Sequence, residues 1–228
     1  SIWGVTAAMS NHHGKIKPVL RSDGGARTLA KSVFEGHRKY FVNSNFVTTP
    51  PGNHPMAVST DHMAGFPTRG KSFAIMTNGC PRLASFPNKS RSTGCSDSGL
   101  KIRGARDVSI WKIKLQVPKG RTCLSFKFKF LSEEYPEFVD SDYNDAFIAE
   151  ATRAPRWNAG SKTDPKLLAR HNFASTRNGK LISVNGAGRT RMSKRAAYGT
   201  TYDGATRMLR ASTRVKRGQR LLYLSIFD

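Results

Sequence analysis

Apolar and polar residues alternate most clearly in two neighbouring segments. Trp111, Ile113, Leu115 and Val117 interleave with Lys112, Lys114 and Gln116, and after Pro118-Lys119-Gly120 the residues Leu124, Phe126, Phe128 and Phe130 interleave with Ser125, Lys127 and Lys129. A period of two places one set of side chains in a core and the other in water, so each segment predicts a strand. With a turn between them, the two are expected to form an antiparallel pair whose apolar face builds the core. Further strands are predicted over Tyr40 to Thr49, stopped by Pro50-Pro51-Gly52-Asn53, and over Phe73 to Met76, Ala146 to Ala149 and Lys180 to Val184. Leu221 to Phe227 carries large apolar side chains on both faces, the mark of a central strand. Asn185-Gly186-Ala187-Gly188 is predicted to be a turn, and Leu167 to Phe173 fits neither period. Residues 1–35 show no sustained period and predict one short helix around Ala26 to Phe34. The pattern therefore predicts an all-β, jelly-roll-like antiparallel sandwich with long loops over 40–228. An irregular, partly mobile segment, 1–39, precedes it.

Composition narrows the function classes. The chain has 228 residues, 38% of them hydrophobic, enough for a sizeable core and too many for a disordered basic tail. No apolar run reaches the length of a transmembrane helix, and SIWGVTAAMS lacks the basic start and apolar stretch of an export signal. The chain reads as a mature fragment or an excised domain. Its 38 Lys and Arg against 15 Asp and Glu give a net charge of +23, which attracts nucleic acid, sulfated glycans and other polyanions. The candidate contact residues are Lys112, Lys114, Lys127, Lys129, Arg189, Arg191, Lys194 and Arg195, with an ordinary solvated surface as the alternative. No recognition helix or zinc finger accompanies them. Of the three cysteines, Cys80 and Cys95 bracket a Pro/Ser/Gly-rich loop and are the candidate disulfide. Cys123 falls in a strand and is expected to be a buried thiol.

The acidic residues are distributed quite differently from the basic ones. Glu133, Glu134, Glu137, Asp140, Asp142, Asp145 and Glu150 make up seven of the 15 and fall within 131–150, which contains no Lys or Arg. Crowded carboxylates repel one another, and a hard cation bound through oxygen relieves the repulsion. The candidate Ca²⁺ ligands are Glu133, Glu134, Asn144 and Asp145, followed by Glu137, Asp140 and Asp142. Their spacing is not that of an EF-hand, so the site would be built from a loop. Surface pairing with Lys and Arg is the competing reading. A glycan hydrolase using Glu133, Glu137 or Asp145 is a third. The six histidines lack transition-metal spacing, and no phosphate loop or nucleophile elbow is present.

The island also carries a resemblance. Cys123-Leu124-Ser125-Phe126, then Phe130-Leu131-Ser132-Glu133-Glu134-Tyr135-Pro136-Glu137-Phe138-Val139, then Tyr143-Asn144-Asp145-Ala146-Phe147-Ile148 is similar to the signature of the choice-of-anchor L domain of bacterial secreted and surface proteins. The likeness extends over roughly 40–228, taking in Ser183-Val184-Asn185, Gly199-Thr200-Thr201-Tyr202-Asp203-Gly204 and Leu224-Ser225-Ile226-Phe227-Asp228. It implies a β-rich extracellular or cell-surface module of adhesion or display that meets a surface glycan or protein ligand. The family's Asn-Asp before an apolar strand is similar to arrangements in Ca²⁺-dependent β-sandwich lectins. Such domains are commonly acidic or neutral, whereas this chain places Lys127 and Lys129 at positions expected to be exposed. That departure reads as an acquired polyanion-facing surface or as supercharging of the scaffold. The function expected is thus non-enzymatic binding or display with a Ca²⁺-stabilised loop. Polyanion binding or a structural role in an assembly is the alternative.

Overall fold

The computed structural model describes residues 2–3, 16–51, 54–88, 101–142, 144–160 and 166–228, with backbone alone at 2–3 and 189–190. Strands β1 (Ile2–Trp3) and β2 (Ile16–Pro18) precede helix α1 (Asp23–Val33). Then come β3 (Phe41–Thr48), β4 (Met56–Ser59), β5 (Phe73–Met76), β6 (Lys101–Ile102), β7 (Ala105–Arg106), β8 (Ser109–Val117), β9 (Cys123–Phe128), β10 (Phe130–Ser132) and β11 (Ala146–Glu150). β12 (Ile182–Ser183), helix α2 (Val184–Arg191), β13 (Met192–Ser193), β14 (Gly204–Thr206), β15 (Leu209–Arg214) and β16 (Gly218–Phe227) follow. The expected all-β architecture is present, as antiparallel sheets that do not close into a barrel.

The central sheet has the order β12-β11-β16-β8-β3, and β16 lies in its middle. That position explains why β16 is apolar on both faces, since each face of a central strand is covered. On one face Trp111, Ile113, Leu115, Phe147, Leu222, Leu224 and Ile226 join the main core, together with Phe128 and Ala211 from the two-stranded ribbon β15-β9. Helix α1 adds Ala26, Leu29 and Ala30 to this core, so the segment expected to be irregular contributes packing from residue 16 onward. Ser22 starts the helix by accepting a hydrogen bond from the Gly25 N–H. On the opposite face Ile110, Ile148, Tyr223 and Phe227 form a second core, closed by Trp157, whose ring stacks on Phe227 with centroids 4.2 Å apart. A third core, with Phe66, Phe73, Ile75, Leu131 and Ala205, lies among the shorter strands of sheets β2-β4-β5 and β1-β10-β14-β13.

Several sequence expectations are corrected. The segments around Pro118-Lys119-Gly120 are strands, but they do not pair with each other. β8 pairs with β16 and β3, while β9 pairs with β15. The chain crosses from one layer to the other at 118–122, and the two apolar faces meet through the core instead of side by side. The expected turn at Asn185 to Gly188 lies inside α2, whose first N–H groups are all satisfied. Val184 donates to the Asp145 carbonyl at 3.1 Å, Asn185 to Asn144 Oδ1 at 3.0 Å and Gly186 to Ser183 Oγ at 2.8 Å. Cys123 is an exposed free thiol, because its position in β9 falls on the face turned away from the core. Lys129, expected at the surface, is buried at 8% exposure, and its ammonium donates to the Ala196 carbonyl at 2.7 Å. Burial lowers its pKa. Leu167 to Phe173 forms only isolated bridges, Asn158 with Leu168 and Glu150 with Asn172.

The buried Trp111 indole N–H donates to Ser44 Oγ at 2.6 Å across the β3-β8 pair. Ser44→Ala would leave that donor without a partner in a dry layer and should cost about 1–3 kcal/mol. Urea denaturation measures it, and an unchanged midpoint would show that the bond contributes nothing net.

Candidate metal centre

The register of the central sheet assembles an acidic end. Ala146 lies opposite Phe227 and Ser109 opposite Ile226, so the residues just beyond them, Asp145, Asp228 and Asp107, emerge at the same edge. The Arg106 N–H donates to the Asp228 backbone oxygen at 2.6 Å, and the Asp228 N–H donates back to the Arg106 carbonyl at 3.0 Å. From the neighbouring sheet, Glu134 arrives two residues after the end of β10. Ligand oxygens of Glu134, Asp145 and Asp228 lie within 4.8 Å of one another.

Asp145 is the anchor of this group. It is 4% exposed, and its Oδ1 accepts from Asn78 Nδ2 at 2.7 Å while its Oδ2 accepts from the Ser132 hydroxyl at 3.2 Å. The same Ser132 oxygen accepts from the Glu134 N–H at 3.0 Å, and Glu134 Oε2 receives the Asp145 N–H at 3.4 Å. Burial, then the Asp145 and Asp228 charges, push the Glu134 carboxyl up to about 8. Burial, then Asp145, push Asp228 up to about 6, with Arg106 acting in the opposite direction. The buried Tyr202 phenol is raised by burial and further by Glu133 and Asp145. Removing water and bringing negative charges together thus makes full ionisation of this end costly. A cation would remove that cost.

The donor set is all oxygen: three carboxylates, with the Ser132 hydroxyl and the Asn78 amide behind Asp145. Hard, flexible coordination of this kind suits Ca²⁺ and lacks the imidazole or thiolate that selects zinc or copper. The group of residues therefore fits the expected ion in chemistry.

The loop from Glu133 to Asp142 is fastened around this end. The Tyr135 ring lies against β14, where a Cβ on Gly204 would come within 2.2 Å of it, so only glycine fits there. Asn185 clasps the far side, its Oδ1 accepting from the Asp140 N–H at 2.6 Å and its Nδ2 donating to the Ser141 carbonyl at 2.8 Å.

Of the sequence candidates, Glu134 and Asp145 converge. Glu133 is half-buried and closest in effect to Tyr202, while Glu137, Asp140 and Asp142 are exposed along the loop. Asn144 serves the start of α2. Sequence reading missed Asp228, Ser132, Asn78 and Tyr202. Asp228 was visible only as an acid following an apolar strand, and its 83-residue separation from Asp145 hid the pairing. The basic candidates do not share one face. Lys112 and Lys114 are half-buried on the side of β8 turned from the main core, Lys127 is exposed on β9, and Lys194 and Arg195 are exposed after β13. Arg191 is half-buried with its Nε lacking a hydrogen-bond partner, and the Arg189 side chain is outside the described residues. Cys80 is in a disulfide; its candidate partner Cys95 lies outside the described residues.

No helix among the described residues is long and apolar enough to cross a membrane. No family model, curated protein or solved structure matches the chain. Fold and site together define an all-β protein of antiparallel sheets with a carboxylate cluster at the end of its central sheet.

Proposed function

We propose that the protein is a non-enzymatic binding or display module of an extracellular or cell-surface setting, stabilised by Ca²⁺ at Glu134, Asp145 and Asp228. It would present itself to a surface glycan or protein ligand, as its resemblance to choice-of-anchor L domains implies. One observation carries the reading: in a chain of net charge +23, two carboxylates of the acidic stretch, Glu134 and Asp145, and the distant Asp228 are drawn to within 4.8 Å of one another instead of being dispersed among the cations. The engagement of both Asp145 oxygens by Asn78 and Ser132 supports a positioning role for that residue over attack on a substrate.

Calorimetric titration with Ca²⁺ after EGTA treatment tests the reading. Binding should give a saturable heat signal, and at 100 times the Kd the ion should add about 2.7 kcal/mol of stability, a rise in melting temperature of several degrees. Asp145→Asn should remove both responses. Absence of heat together with an EGTA-insensitive melt would sink the calcium reading.

A further inference from the structure

The outward face of the ribbon β9-β15 has no acidic residue and a line of cations. Register places Lys127 directly opposite Arg210, Ser125 opposite Ser212, and Arg214 opposite Cys123, and all six side chains are exposed. Like charges directly opposite each other on a sheet face are destabilising. Among the described residues no carboxylate pairs with Lys127, Arg210 or Arg214, and Arg210 reaches only the Ser125 hydroxyl, at 3.3 Å. At the end of the ribbon, Arg177 and Arg207 join Arg210 around an open groove of about 410 Å³ that Ser175 and Thr176 also line. The surrounding sequence accentuates the bias. Residues 204–227 contain six Lys or Arg and no Asp or Glu.

We propose that this ribbon and groove form a docking surface for the phosphate backbone of duplex nucleic acid. The partner is chosen by chemistry and shape. Arginine dominates the patch, and its planar fork matches phosphate oxygens in pairs. Serine hydroxyls between the cations are the usual additional donors to phosphate. A two-stranded antiparallel ribbon is an element that the major groove of a duplex admits. No aromatic side chain lies on the face, so the base stacking on which single-strand binding relies is missing. The contact is electrostatic and independent of base sequence. A bound phosphate would also relieve the repulsion between Lys127 and Arg210.

The test compares two triple variants of equal charge for binding to a duplex of about 20 base pairs, in EGTA buffer so that calcium plays no part. Arg177→Ala with Arg207→Ala and Arg210→Ala removes the groove; Lys17→Ala with Arg27→Ala and Lys31→Ala removes three exposed cations from β2 and α1. The groove variant should lose about tenfold or more in affinity near 150 mM salt, and its slope of log affinity against log salt should flatten by about 2 to 3. The control variant should lose less than about threefold. A duplex lying along the whole ribbon should also slow alkylation of the exposed Cys123 thiol, which sits opposite Arg214 at the end of the ribbon far from the groove. Equal losses in the two variants, or unchanged Cys123 alkylation, would overturn the proposal in favour of a diffuse field. Tighter binding of a sulfated heparin oligosaccharide or of single-stranded DNA than of the duplex would overturn the choice of partner.

Discussion

In calcium-free buffer the melting temperature should fall as the pH is raised from about 5 to about 8, and Glu134→Gln should remove most of that fall. Burial and the neighbouring carboxylates push Glu134 up to about 8 and Asp228 up to about 6 in the folded protein, against roughly 4.3 and 3.9 for the same groups in an unfolded chain. Between those limits the folded state holds protons that the unfolded state has released. Stability therefore declines with rising pH through the window and levels off above about 8. Allowing for the partial exposure of Glu134, the loss should be about 2 kcal/mol, or about 4–8 °C for a protein of this size. Glu134→Gln should accordingly raise the calcium-free melting temperature at pH 8 while abolishing the response to calcium. That pairing of a gain and a loss separates repulsion at an ion site from simple structural damage. Calcium should restore most at high pH, because its ligands must be deprotonated to bind. Melts at pH 5, 6.5 and 8 with and without Ca²⁺ would decide it, and a calcium-free melting temperature that rises with pH would contradict the electrostatic account.

Trp157→Ala should be the most damaging of the single substitutions considered, at about 3–5 kcal/mol. Trp157 is fully buried, stacks on Phe227 and donates its indole N–H to Ser225 Oγ at 2.9 Å. Its backbone carbonyl accepts from the Arg103 guanidinium at 2.7 Å. Truncation would open a cavity on the outer face of β16, next to Asp228, and leave Ser225 without its indole partner. Trp157→Phe should recover part of the loss through packing but none of the hydrogen bond. Guanidinium chloride denaturation of the two variants separates these contributions, and equal midpoints for Ala and wild type would show that the outer core is dispensable.

The two strands with clear alternation were legible because a period of two is local: Trp111 and Ile113 must share a face whatever the rest of the chain does. Their partners were not legible. A strand's alternation states which side is buried but not which edge it joins, so the short turn suggested a hairpin where the chain passes between layers. β15 escaped notice because its inward positions offer one large apolar side chain, the half-buried Leu209, beside the small buried Ala211 and the half-buried Thr213, in alternation with Arg210, Ser212 and Arg214. α2 was obscured by Gly186 and Gly188. Both glycines have packing reasons, since a Cβ would come within 2.3 Å of the Leu181 carbonyl oxygen and 2.7 Å of Val139, respectively.

The sequence alone determined the all-β class, the central place of Leu221 to Phe227 and the concentration of acid within 131–150, all properties of residues near one another in the chain. Only the tertiary structure decided which acids meet. Pairing of β11 with β16, and of β10 with β14, carries Asp145, Asp228 and Glu134 to one end and leaves Glu137, Asp140 and Asp142 in water. It likewise set Lys127 against Arg210 and buried Lys129. Electrostatic cost depends on separation in space and access to water, and strand register sets both.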